Sequence, residues 1–173
     1  MRKIDGAAFL ALLSLPAVAF GQIDAFTDLF ARTCMQHFYS QDKLREDMAQ
    51  HPALAGEQAA FFLGGNDGSA WQVDRSGAKF VVSVREDGLC AVFAQTAPAS
   101  EVQRNFAAIV GEAPEPLVAV MRSNTGPNSG STSTVSYAWT REQDASELLF
   151  TLTTSDDASL PVQAMASLGL VAK

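Results

Sequence analysis

The apolar residues from position 24 to position 39 recur every three or four residues, which places them on one face of a helix. Asp24 precedes the first of them and is a good helix N-cap, because its carboxylate can accept a hydrogen bond from a free backbone N–H of the first turn. The apolar face comprises Phe26, Leu29, Phe30, Thr33, Cys34, His37 and Phe38.

Two shorter helical segments follow. Residues 41–50 place Leu44 and Met48 on one side, and this helix must end at His51, because a residue before proline is disfavoured in the helical region. Residues 58–62 add a further helical turn, which ends at the Gly- and Asn-rich segment 64–68.

After residue 68 the apolar period changes from about 3.6 to two, which predicts strands. A short strand at 71–73 precedes a hairpin, in which residues 80–85 and 89–94 flank the turn Glu86-Asp87-Gly88. Asp-Gly is typical of such turns because both residues tolerate a positive φ.

The second half of the chain repeats this order. The pattern predicts a helix at 98–110 that ends at Gly111, strands at 117–121, 134–140 and 148–154, and a long polar loop at 124–131. The segment 162–170 is compatible with a strand or a helix.

The element order is helices, strands, helix, strands. We therefore predict an α+β fold with an antiparallel sheet that is covered on one face by helices. A doubly wound parallel sheet needs a helix between successive strands, and the predicted elements after residue 116 do not supply them.

The first 21 residues have the three parts of a secretory signal peptide: a basic start, an apolar run from Ala7 to Leu15, and small residues before a cleavage point. Cleavage after Ala19 or after Gly21 fits, and Gly21 is preferred because Pro16 then stands at a helix-breaking distance. An uncleaved anchor or a buried helix is the alternative. We predict a signal peptide at 1–21, a single domain at 22–173, and a periplasmic location.

The charge balance narrows the range of partners. The 173 residues contain 12 Lys and Arg against 19 Asp and Glu, a formal net charge of -7. Nucleic-acid binding needs clusters of basic residues, so no nucleic-acid partner is expected. No second apolar run is long enough to cross a bilayer, so stable membrane insertion after signal cleavage is not expected either.

Cys34 and Cys90 are the only cysteines. An oxidising compartment favours a disulfide between them, which would tie the first helix to a strand. Two alternatives stay open: a pair of free structural cysteines, or a reactive thiol at Cys34, one helical turn from His37.

No catalytic, metal-binding or cofactor-binding residues are predicted. His37 and His51 are not spaced as metal ligands, and Gly-x-Ser-x-Gly and dinucleotide or phosphate loops are absent from the sequence. A hydrolase that uses His37 or His51 is the least favoured hypothesis.

Three aromatic residues, Trp71, Tyr137 and Trp139, are candidates for a partner-binding surface, because Trp and Tyr are enriched where proteins bind one another. Core packing is the competing interpretation for residues that alternate along strands. Asn124 and Asn128 of the polar loop complete the candidate surface, because long loops often carry binding residues.

Several short motifs lie within the predicted first helix and the predicted strands. They are Phe30-x-x-x-Cys34, Trp71-Gln72-Val73, Asp87-Gly88-Leu89-Cys90-Ala91-Val92 and Ser136-Tyr137-Ala138-Trp139. Together they make the chain resemble a group of small exported proteobacterial proteins with no assigned activity. The resemblance spans most of the chain after residue 21 and implies a periplasmic setting, but it supplies no catalytic residue.

These observations predict a non-enzymatic domain that binds a protein partner. One version is an immunity-type inhibitor of a secreted toxin, which the acidic charge would steer onto a basic partner. The alternative is a small-molecule or lipid carrier with a pocket between the helices and the sheet.

Overall fold

The computed structural model describes residues 23–125 and 132–173. These residues form a mixed α+β fold with four α-helices and one antiparallel sheet of seven strands in the order β1-β2-β3-β7-β6-β5-β4. The helices are α1 (Ala25–Phe30), continued by a π-helical turn (Ala31–Met35), α2 (Gln41–Met48), α3 (Gly56–Leu63) and α4 (Ala99–Val110). The strands are β1 (Gly68–Arg75), β2 (Ala78–Arg85), β3 (Cys90–Ala94), β4 (Val118–Thr125), β5 (Thr132–Thr140), β6 (Ser146–Ser155) and β7 (Ala164–Ala172).

Helix α1 begins where the sequence predicts. The Asp24 carboxylate accepts a hydrogen bond from the Thr27 backbone N–H at 2.9 Å, which satisfies one of the donors that a helix N-terminus leaves free. The apolar side of α1 is buried, and the rings of Phe30 and Phe106 lie 5.8 Å apart, so α1 packs against α4.

Helices α1 and α4 cover one face of the sheet, which we call the inner face. It carries the alternate residues that include Val82 on β2, Val92 on β3 and Phe150 on β6, all of them fully buried. The core is therefore a helix layer on a sheet layer, and alternate residues of every strand except β4 contribute to it.

Helix α3 lies on the opposite side, which we call the outer face. On β3, Phe93 points away from the inner-face residue Val92, and its ring centroid is 5.0 Å from that of Phe62 on α3. The predicted fold class is confirmed, but the expectation that the helices cover one face holds only for part of them. The apolar residues that predict α3 do not show which face of the sheet the helix covers, because both faces of β3 are apolar.

The structure confirms the predicted helices and the β2–β3 hairpin, and it shows that 164–172 is a strand. Strand β4 is longer than predicted, since Asn124 and Thr125 pair with Val135 and Thr134 of β5 instead of starting a loop. The predicted signal peptide lies outside the described residues. Across 23–125 and 132–173, no helix combines the length and the apolar composition that a membrane span requires.

Candidate functional site

The predicted disulfide is confirmed. Cys34, in the π-helical turn after α1, is bonded to Cys90, the first residue of β3, with the two Cα atoms 5.4 Å apart. Both residues are buried and the described residues include no free cysteine, so a reactive thiol at Cys34 is not supported.

Two of the aromatic residues predicted as a partner surface belong to the core instead. Trp71 is 6% exposed, and the Trp139 ring packs 4.6 Å from Phe150 while its Nε1–H donates to the Val110 carbonyl oxygen at 2.7 Å. The indole N–H of Trp139 thus binds the end of α4 and is not available to a partner.

Tyr137 and Asn124 line an open groove of about 350 Å³ between α4 and the β4–β5 hairpin. Tyr137 is half-buried, with its ring 6.4 Å from that of Phe106, and Asn124 is exposed. Arg104 and Gln103 of α4 form the opposite wall. Asn128, the remaining predicted residue, lies outside the described residues.

This groove adjoins an open sheet edge. The other end of the sheet is covered in the middle of β1, where the segment before α3 pairs with it: the Leu54 N–H donates to Ala70 O at 2.8 Å and the Gln72 N–H to Pro52 O at 2.9 Å. Strand β4 pairs with β5 on one side, and on its other side no described strand pairs with it.

The exposed strand β4 also carries apolar side chains. Val118 is 60% exposed and Met121 is 53% exposed. Since they are three residues apart, they lie on opposite faces of the sheet. Its one charged residue, Arg122, forms a salt bridge with Glu147 of β6, and a bulge separates Met121 from Ser123.

A second concave region lies on the outer face beside α3. This cleft has a volume of about 220 Å³ and an apolar lining that includes Phe62, Phe93, Val81 and Val162. Its polar residues are Lys79 and the side chains of Gln58, Gln72 and Gln95. Sequence reasoning missed it, although the alternation of apolar residues on both sides of β3 was a signal that both faces are covered.

The chain was compared with protein-family models, with curated proteins and with solved structures. None of the three comparisons finds a match.

The histidines do not form a metal centre in the described part of the chain, where no group of three or more His, Cys, Asp or Glu is placed to hold a metal ion. His37 is 8% exposed, and its Nε2 lies 3.6 Å from Asp47 Oδ2 on α2. This contact joins the end of the first helical segment to α2.

Asp28 of α1 forms ion pairs with two arginines, Arg32 and Arg75. Burial alone would raise the pKa of its carboxyl, but Arg32 and Arg75 outweigh that effect and hold the pKa below its ordinary value. Since Arg75 belongs to β1, the carboxylate connects α1 to the sheet. Asp28 therefore has a structural role, and it does not line the groove beside α4.

Proposed function

We propose that this protein is an exported, periplasmic protein-binding domain, and that its partner supplies an extended segment that pairs with β4. The observation that carries the proposal is the asymmetry of the sheet edges. The middle of the β1 edge is paired with the chain's own backbone at 52–54, whereas β4 offers its outer backbone donors and acceptors and two exposed apolar side chains.

Strand addition suits this geometry. An edge strand presents a row of backbone N–H and C=O groups that another extended chain can satisfy, and side chains beside the edge then supply specificity. Val118 and Met121 would contact the incoming strand on opposite faces. On the inner face, the incoming side chains would meet the groove that Tyr137, Asn124 and Arg104 line.

The predicted export of the protein and its negative net charge are consistent with binding to a protein partner. The leader-like sequence at 1–21 and the disulfide favour an exported protein. A formal charge of -7 for the whole chain, or -8 once Arg2, Lys3 and Asp5 are removed with residues 1–21, would speed association with a basic partner. An immunity-type inhibitor of a secreted toxin is one form such a pair can take.

A double variant, Val118→Lys with Met121→Lys, tests the proposal, since lysines on an edge strand oppose strand addition without disturbing the core. Its control is Phe61→Lys, because Phe61 is also 60% exposed but lies on α3, which packs on the far end of the sheet. Wild type, double variant and control are each immobilised and incubated with a periplasmic extract at low and high salt.

We expect the same protein to be retained by wild type and by the control and lost by the double variant. Amide hydrogen exchange in β4 should slow in the complex. A partner that the double variant retains equally well would contradict strand addition at β4.

A further inference from the structure

We propose that the outer-face cleft beside α3 binds a small amphipathic carboxylate, with its apolar part against Phe62 and Phe93 and its carboxylate at Lys79. This inference goes beyond the proposed partner binding, because the cleft is formed by α3 and the β1–β3 end of the sheet. It gives a specific location to the carrier alternative that the sequence left open.

Helix α3 and the outer face of the sheet both contribute apolar residues to the cleft. Phe93 on β3 and Phe62 on α3 make an edge-to-face pair with ring centroids 5.0 Å apart, and Val81 and Val162 are partly exposed beside them. Pockets that bind small molecules combine such apolar walls with a few polar groups that fix orientation. At about 30 Å³ per water, 220 Å³ corresponds to the volume of about seven waters, which suits a short acyl chain or one ring.

Lys79 is the one charged residue among the described residues that line the cleft, and it favours an anionic ligand. Lys79 is exposed, and no carboxylate among the described residues forms an ion pair with it. Asp74 stands opposite Lys79 in the β1–β2 register, but its carboxylate accepts a hydrogen bond from Gln72 Nε2 at 3.2 Å instead. The ammonium group is therefore available to a ligand anion, and Asp74, its partner in the register, is a carboxylate that can compete for it.

Gln58 and Gln95 also line the cleft and add neutral donors, and neither side chain forms a hydrogen bond with another described residue. A carboxylate can accept from an ammonium and from amide N–H groups together, and hydrogen bonds with a charged partner are the stronger kind. A cationic head group would instead meet Lys79 with like charge.

The test is a titration of the full chain with octanoate, octanol and octylamine, followed by calorimetry and by amide chemical shifts. We expect saturable binding of octanoate, weaker binding of octanol and the weakest binding of octylamine. The shift changes should centre on Val81, Phe93 and Val162. Absence of saturable octanoate binding, or shift changes centred away from this cleft, would overturn the proposal.

Two exposed residues provide the variants. Lys79→Gln should weaken octanoate binding by about fivefold and change octanol binding by less than about twofold, the scale of one partly solvated ion pair. Asp74→Asn should strengthen octanoate binding, because it removes the competing carboxylate. Equal losses for octanoate and octanol in Lys79→Gln would show a merely apolar cleft and would refute the carboxylate assignment.

The β4 double variant, Val118→Lys with Met121→Lys, separates the two proposals. It should leave octanoate binding unchanged, because β4 is the opposite end strand of the sheet. Loss of octanoate binding in that variant would place the ligand at β4 and overturn the assignment to the α3 cleft.

Discussion

The disulfide between Cys34 and Cys90 links the π-helical turn after α1 to the first residue of β3, across a sequence separation of 56 residues. Between these two cysteines lie α2, α3, β1 and β2, so one covalent bond closes a loop around much of the N-terminal half of the fold. Such a bond stabilises mainly by limiting the unfolded chain.

Replacement of both cysteines, Cys34→Ala with Cys90→Ala, should lower the free energy of unfolding by about 4 kcal/mol, the loop-closure value for a loop of this length. Urea denaturation of wild type and variant measures the difference. Reductant should destabilise wild type and leave the double variant unaffected. A variant as stable as wild type would mean that the loop is already restricted in the unfolded chain.

Asp28→Asn should change how stability depends on pH. The Asp28 carboxylate accepts from Arg32 Nε at 2.8 Å and forms an ion pair with Arg75, and its pKa is lowered from the ordinary 3.8. A lowered pKa gives stability that is fully present above pH 3.8 and is lost as the pH falls through the folded-state pKa below it. The variant should therefore be less stable near neutral pH, by about 1 kcal/mol, and should lose less stability on acidification.

Its matched control is Asp42→Asn. Asp42 also contacts an arginine, Arg45, at 3.2 Å, but its side chain is 99% exposed, so water screens the pair. Thermal unfolding from pH 2 to pH 7 compares the three proteins. Parallel curves for wild type and Asp28→Asn would contradict a stabilising role for this carboxylate.

Two glycines at the junction of α3 and β1 should respond differently to alanine. A Cβ on Gly68 would stand 2.4 Å from the Val84 carbonyl oxygen, whereas a Cβ on Gly65 would meet nothing within 4 Å. Gly65 has a φ of 74°, so Gly65→Ala should cost about 1 kcal/mol from backbone strain alone. Gly68→Ala should cost clearly more, because β1 must move away from β2, and equal effects in chemical denaturation would refute the close approach.

Replacing Thr27 or Thr33 with valine should change the free energy of unfolding in opposite directions. Thr27 Oγ1 is buried without a hydrogen-bond partner among the described residues, whereas Thr33 Oγ1 donates to the Leu29 carbonyl oxygen at 2.7 Å. Thr27→Val should raise the free energy of unfolding by up to about 1 kcal/mol, since a buried unsatisfied hydroxyl is removed, and Thr33→Val should lower it by about 1 kcal/mol. Calorimetric unfolding measures both, and a destabilised Thr27→Val would reveal an unseen partner for that hydroxyl.

Part of the candidate site could be anticipated and part could not. Tyr137 and Asn124, two of the candidate binding residues, line one groove, whereas Trp71 and Trp139 follow the competing interpretation and pack in or against the core. An alternating strand shows which residues share a face, but not which face a second layer will cover. For the same reason the sequence did not reveal the cleft at Phe62 and Phe93.

Local interactions were sufficient for the parts of the fold that the sequence determined. Asp24 caps α1 through its own first turn, Asp87-Gly88 turns β2 into β3, and the change of period at residue 68 separates helices from strands. The disulfide followed from composition and the expected compartment. Each of these depends on neighbours along the chain or on a count of residues.

Only the tertiary structure decided the pairing of β3 with β7, the position of α3 on the outer face and the extension of β4 through Asn124. Each depends on a partner that is distant in sequence. Asn124 has a low preference for strands, but pairing with Val135 supplies backbone hydrogen bonds that no local pattern encodes. The open β4 edge and the cleft beside α3 result from these contacts between residues distant in sequence.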